Sequence, residues 1–117
     1  MAVIVECKDP VGLNAKIKNA VTEGDIDTWI VDSDGDFTHE PDQWNCKAWM
    51  HFTNKNNLSE EHKEKLVFGI VGNKNVKMTK SLYAVYHGRF AEMLLSHFDD
   101  DIKNITITSN KTQYDFF

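Results

Sequence analysis

The spacing of apolar and polar positions separates strands from helices along most of the chain. Residues Ala2 to Cys7 form a short, β-branched, apolar run of the kind found in buried strands. Asp9 then offers an N-cap oxygen, and Pro10 suits the first helical position, where its missing N–H costs nothing. Leu13, Ile17, Ala20 and Val21 recur on one helical face, and Gly24 closes the segment. Asn14, Lys16, Lys18 and Asn19 make up the polar face, which predicts a helix lying on a sheet.

Thr28 to Asp32 and Asp36 to Glu40 flank an Asp34-Gly35 pair, a two-residue hairpin signal because both central positions of a type I′ turn need positive φ. That turn pairs Asp32 with Phe37, Val31 with Thr38 and Ile30 with His39. After Pro41, a half-buried strand begins near Trp44, with Cys46, Ala48, Met50 and Phe52 alternating against Lys47, Trp49, His51 and Thr53. Thr53 to Lys65 reads as a polar connection with a helical turn from Ser59, and Leu66 to Val71 as a central strand. Thr79 caps a second helix over Lys80 to Phe98, with Leu82, Val85, Tyr86, Phe90, Met93, Leu94 and Phe98 at helical spacing. Ile102 to Thr108 alternates as a last strand.

The order β-α-β-β-β-β-α-β predicts an α+β two-layer sandwich. Its sheet is mainly antiparallel, of five or six strands, with both helices on one face. Residues 1–117 read as one domain, with 109–117 as a flexible tail whose Phe116 and Phe117 are free to dock.

Composition narrows the class. Apolar residues at 41% and charged ones at 26% fit a globular chain rather than a disordered one. The apolar runs are far shorter than the roughly 20 residues that span a bilayer, and no basic segment precedes an apolar one at Met1. The expectation is a soluble, cytoplasmic protein without a membrane partner, in which Cys7 and Cys46 stay as free thiols.

Charge is unevenly spread. The formal net charge is −5 and Arg89 is the sole arginine, which opposes nucleic-acid binding because phosphate neutralisation needs clustered Lys and Arg. From Glu23 to Asp42 stand Glu23, Asp25, Asp27, Asp32, Asp34, Asp36, Glu40 and Asp42, with no Lys or Arg among them. Between Gln43 and Lys80 the balance reverses, with Lys47, Lys55, Lys63, Lys65, Lys74, Lys77 and Lys80 against three glutamates.

The hairpin segment Ile30-Val31-Asp32-Ser33-Asp34-Gly35-Asp36 resembles the first motif of haloacid-dehalogenase-type phosphatases, which would make Asp32 a nucleophile. Asp36 stands where that motif has Thr or Val, and the remaining chain is too short for that family's βα-repeating core. The same aspartates resemble a calcium loop, but Gly35 precedes the third acid and Gln43 occupies the twelfth position, out of register for an EF-hand. Glu6-Cys7-Lys8 resembles the Glu-x-Lys half of PD-(D/E)xK nucleases, yet only five residues precede Glu6 and the upstream carboxylate is missing. Five histidines, His39, His51, His62, His87 and His97, show no zinc spacing with either cysteine.

Two functions remain. The favoured one is a non-catalytic binding or inhibitory protein, in the manner of small immunity proteins or antitoxins. It would present Trp29, Asp32, Asp34, Asp36, Glu40, Asp42 and Trp44 to a basic protein partner. The alternative is a small metal-dependent hydrolase using Asp32, Asp34, Asp36 and His39. Tyr83, His87 and Arg89 mark a further candidate pocket on the second helix, where Gly88 suggests tight helix-on-sheet contact. No cofactor is expected, and an exposed edge strand leaves a homodimer open.

Overall fold

The first strand, β1 (Ala2–Glu6), is buried on both faces along Ala2, Val3, Ile4 and Val5, as its continuous apolar run implies. The computed structural model describes residues 2–117. Helix α1 (Pro10–Thr22) follows, started by the Asp9 carboxylate, which accepts the Gly12 N–H at 3.0 Å. Its buried side holds Leu13, Ile17 and Val21, and also Asn14, which the helical spacing places among the polar residues. Asn14 Oδ1 is enclosed without a partner among the described residues.

Next come β2 (Trp29–Val31), β3 (Phe37–His39), β4 (Ala48–Phe52) and β5 (Leu66–Gly72), with two 3₁₀ turns at Lys55–Asn57 and Glu60–His62 in the polar connection. Helix α2 (Lys80–Phe98) is capped by Thr79, and β6 (Asn104–Ile107) ends the set. The six strands pair antiparallel in the order β2-β3-β4-β5-β1-β6, so β5 is central and β2 and β6 are the edges. Both helices cover one face, closing a core around Val3, Val5, Ile17, Trp29, Phe37, Phe68, Tyr86, Phe90 and Leu94. The architecture is the α+β two-layer sandwich that the patterning implies. Among the described residues no helix is long and apolar enough to cross a membrane.

The predicted hairpin register is one residue off. Trp29 pairs with His39, Ile30 with Thr38 and Val31 with Phe37. The Asp32 carbonyl accepts the Gly35 N–H at 3.0 Å, and the Asp32 N–H donates to the Asp36 carbonyl at 2.9 Å. Gly35 has φ +83°, so the loop holds three residues with the glycine as a left-handed bulge, instead of two. A single-residue slip exchanges the two faces of a strand, and the observed register is the one that turns Trp29 and Phe37 inward. Strand β4 also starts later than its alternation suggests, because Cys46 lies at φ +59° and breaks the extended run.

Residues 109–117, read as a tail, lie across β5. The Phe116 N–H donates to the Ile70 carbonyl and the Gly72 N–H to the Phe116 carbonyl, both at 2.8 Å, a parallel bridge beyond the start of β1. Asp115 is buried and accepts the Ile70 N–H at 2.9 Å. Tyr114 joins Ala2, Ile4, Leu58 and Val67 in a small second apolar cluster on the far face of the sheet. Gly69 makes this crossing feasible, since a Cβ there would sit 1.7 Å from the Tyr114 carbonyl oxygen.

Candidate functional site

The acids of the hairpin are not equivalent. Asp32 Oδ1 accepts the N–H groups of Asp34 at 2.9 Å and Asp36 at 3.0 Å, so this carboxylate is spent on holding the loop. Asp36 Oδ1 lies 2.7 Å from His51 Nδ1 on β4. Asp34 is exposed at the tip, and the Lys18 ammonium approaches the adjoining Gly35. The three carboxylates thus point to separate tasks, and among the described residues no group of three His, Cys, Asp or Glu side chains is placed to hold a metal ion. His39 belongs to the core side of the hairpin, against the Trp29 ring at 4.7 Å between centroids.

The surface of the acidic stretch is nevertheless real. Of its eight acids only Asp36 is half-buried, and the other seven are exposed. None of the eight is in an ion pair with Lys or Arg among the described residues. Trp29 departs from its expected surface role: it is 2% exposed and sits edge-on to Tyr86 and Phe90 in the core. Trp44 is half-buried at the core rim, in a loop that the Tyr86 hydroxyl ties down by donating to the Trp44 carbonyl. Glu40 and Asp42 flank it in solvent.

A cleft of about 450 Å³ opens between the 25–28 loop, the end of β3 and helix α2, lined among others by Asp25, Asp27, His39, Trp44, Arg89 and Glu92. His39 is 6% exposed, and its Nδ1 lies 2.9 Å from the Thr28 carbonyl. A carbonyl accepts, so Nδ1 carries the proton and Nε2 is the acceptor in the neutral ring. Burial lowers the pKa of His39 below 6.5, and the nearby Arg89 charge adds to this, while the Thr28 carbonyl and Glu92 oppose it. His39 is therefore neutral at pH 7. On the exposed side of α2, Arg89 pairs with Glu92 at 3.2 Å.

The trio Tyr83, His87 and Arg89 divides. Tyr83 and His87 share a buried face with ring centroids 4.6 Å apart, and His87 Nδ1 lies 2.7 Å from the Tyr83 carbonyl. The Tyr83 hydroxyl reaches Asp115 Oδ2 at 3.4 Å, beneath the 109–117 segment, whereas Arg89 faces the cleft. Gly88 does not mark a close approach, since a Cβ there would meet nothing within 4 Å among the described residues.

Two other hollows open elsewhere on the surface. One, about 300 Å³, lies beside the hairpin with Asp34, Asp36, His51, Thr53 and Tyr114 in its wall. The other, about 710 Å³, holds Glu6, Cys7 and Lys8 with Lys16 and Asp101, which pair at 3.2 Å. Burial pushes the Cys7 thiol pKa up, the reverse of what a nucleophilic cysteine needs.

Sequence reasoning missed the partners that matter most here: the His51–Asp36 pair, the Tyr114 hydroxyl bonded to His62 at 2.7 Å, and the buried Asp115. Each joins residues far apart in the chain, and no local spacing announces it. No protein-family model, curated protein or solved structure matches this chain.

Proposed function

We propose that this is a non-catalytic binding or inhibitory protein that presents the acidic Glu23–Asp42 face to a basic protein partner. The observation that carries the reading is the exposure of seven of the eight acids on that face, none of the eight in an ion pair with Lys or Arg among the described residues. Leaving like charges together opposes the compact state, while it steers and orients a partner of opposite charge. The scaffold beneath is stiff: Asp32 knits the hairpin loop, Asp36 holds His51, and the Tyr86 hydroxyl ties the Trp44 loop to α2. Trp44, half-buried among exposed acids, supplies an aromatic anchor of the type that dominates interface energetics. The reading places the protein in the cytoplasm, a reducing compartment in keeping with the free Cys7 and Cys46.

The test uses acids that have no structural bond. The triple variant Asp34→Asn, Glu40→Gln, Asp42→Asn is compared with the wild-type chain in affinity capture at low and high salt, and the captured protein is then purified and the complex reconstituted. The expected partner is basic, its binding weakens with salt, and the variant binds more slowly. A reconstituted complex indifferent to both salt and the triple variant refutes the reading.

A further inference from the structure

The cleft between the 25–28 loop, the end of β3 and α2 has a chemistry of its own. At its inner wall sits His39, almost wholly buried, with its Nδ1 proton committed to the Thr28 carbonyl. Nε2 has no partner among the described residues. The enclosed side-chain nitrogen and oxygen atoms lacking one are Asn14 Oδ1 and Thr53 Oγ1, so Nε2 opens into the cleft rather than into protein. Such a nitrogen is a hydrogen-bond acceptor. The surrounding charges are the carboxylates of Asp25 and Asp27 on the loop, with Glu92, Arg89 and His97 on α2. Three acids against one arginine leave the cleft negative: Arg89 and Glu92 balance each other, and Asp25 and Asp27 remain unmatched.

We propose that this cleft receives an arginine side chain of the basic partner, an inference that rests on the binding reading above. An anionic or carbonyl-bearing ligand would set acceptor against acceptor at Nε2 and charge against charge at the rim. A cation satisfies both. A metal ion is disfavoured because no three ligating side chains converge here among the described residues. Between the two cationic side chains, the planar guanidinium donates several N–H groups in one plane, to an imidazole nitrogen and to carboxylates at once, and it stacks on an aromatic face such as that of Trp44. An ammonium is a strongly hydrated point charge and gains less from a flat ring and a neutral acceptor. The lowered pKa of His39 keeps Nε2 free to accept at neutral pH.

The experiment follows the ¹⁵N-imidazole and Trp indole NMR signals of the full chain during titration with a blocked Gly-Arg-Gly peptide, with the citrulline and lysine peptides as comparisons. The expected result is a saturable shift of His39 Nε2 and the Trp44 indole with the arginine peptide, bound about tenfold or more tighter than either comparison. His39→Phe keeps a ring against Trp29 and removes the acceptor. Glu92→Gln alters an exposed residue and tests the rim should His39→Phe fold poorly. Each weakens the arginine peptide, whereas Glu60→Gln, an exposed acid in the Glu60–His62 turn outside the cleft, leaves peptide binding unchanged. No shift with the arginine peptide, or equal binding of citrulline or lysine, overturns the inference. Should that happen while the triple variant still loses the purified partner, the cleft assignment falls and the acidic-face reading stands. A partner indifferent to the triple variant, with the peptide still bound, sinks the reading instead.

Discussion

Replacing Gly69 by alanine tests how the 109–117 segment is held. The added methyl would lie 1.7 Å from the Tyr114 carbonyl oxygen, 2.5 Å from its carbon and 3.1 Å from its Cβ. The obstacle is backbone, which no side-chain rotation relieves, so the segment must leave β5. The cost is then limited by what docking contributes. Docking supplies the two Phe116 backbone bonds and the Asp115 bond to Ile70, at about 1 kcal/mol net each, together with burial of Tyr114, about 2 kcal/mol. Ordering the residues that make these contacts offsets part of this, at about 1 kcal/mol or more per residue. The expected loss is about 1–2 kcal/mol by urea unfolding, with new protease cleavage within 109–113. The decisive arm repeats the substitution in a chain lacking residues 112–117. There the obstacle is gone, and alanine in a strand should be neutral or stabilise by up to about 1 kcal/mol relative to glycine. Equal losses in both backgrounds, or a loss below about 0.5 kcal/mol in the full chain, would show that the crossing is not what requires Gly69.

Other substitutions separate roles that the sequence alone merges. Gly88→Ala, on the open side of α2, should stabilise the fold by about 1 kcal/mol in thermal or urea unfolding, and any destabilisation would reveal a contact at that face. Asp32→Ala should cost about 1 kcal/mol by removing the acceptor of two N–H groups, while Asp34→Ala should stay within about 0.5 kcal/mol; similar costs for the two would contradict the loop geometry. His39 binds its proton less readily folded than unfolded, so its contribution to stability is complete above pH 6.5 and is lost as pH falls through its lowered folded value. The pH slope of unfolding free energy just below 6.5 should therefore shrink in His39→Phe, and an unchanged slope would contradict the neutral, buried ring.

The elements were legible because their signals are local. The Asp9-Pro10 start of α1, the Thr79 cap of α2 and the apolar run of β5 each depend on a few neighbouring residues, and the order of elements follows from them. The hairpin register was less so. Asp-Gly fits both a two-residue loop and the three-residue loop with a left-handed glycine that forms here, and the choice is made by which register buries Trp29 and Phe37. The site was hardly legible at all. Trp29 reads equally as an interface or a core aromatic until Tyr86 and Phe90 close over it. The cleft joins Asp25 and Asp27 to Glu92 on α2, a proximity created by packing alone.

The sheet order also bears on how the chain reaches this state. Strand β1 lies between β5 and β6, so Val3 needs Phe68 on one side and Ile107 on the other, while the β2–β3 hairpin pairs within a dozen residues. Closing such long loops must precede any reward from the contacts that they bring together. The hairpin's local pairing carries a small loop-closure cost, whereas pairing of Val3-Ile4-Val5 requires distant β5 and β6 to be brought to it. By that cost the Val3-Ile4-Val5 run is expected to pair late, and an apolar run left unpaired meanwhile is a hazard for misassembly.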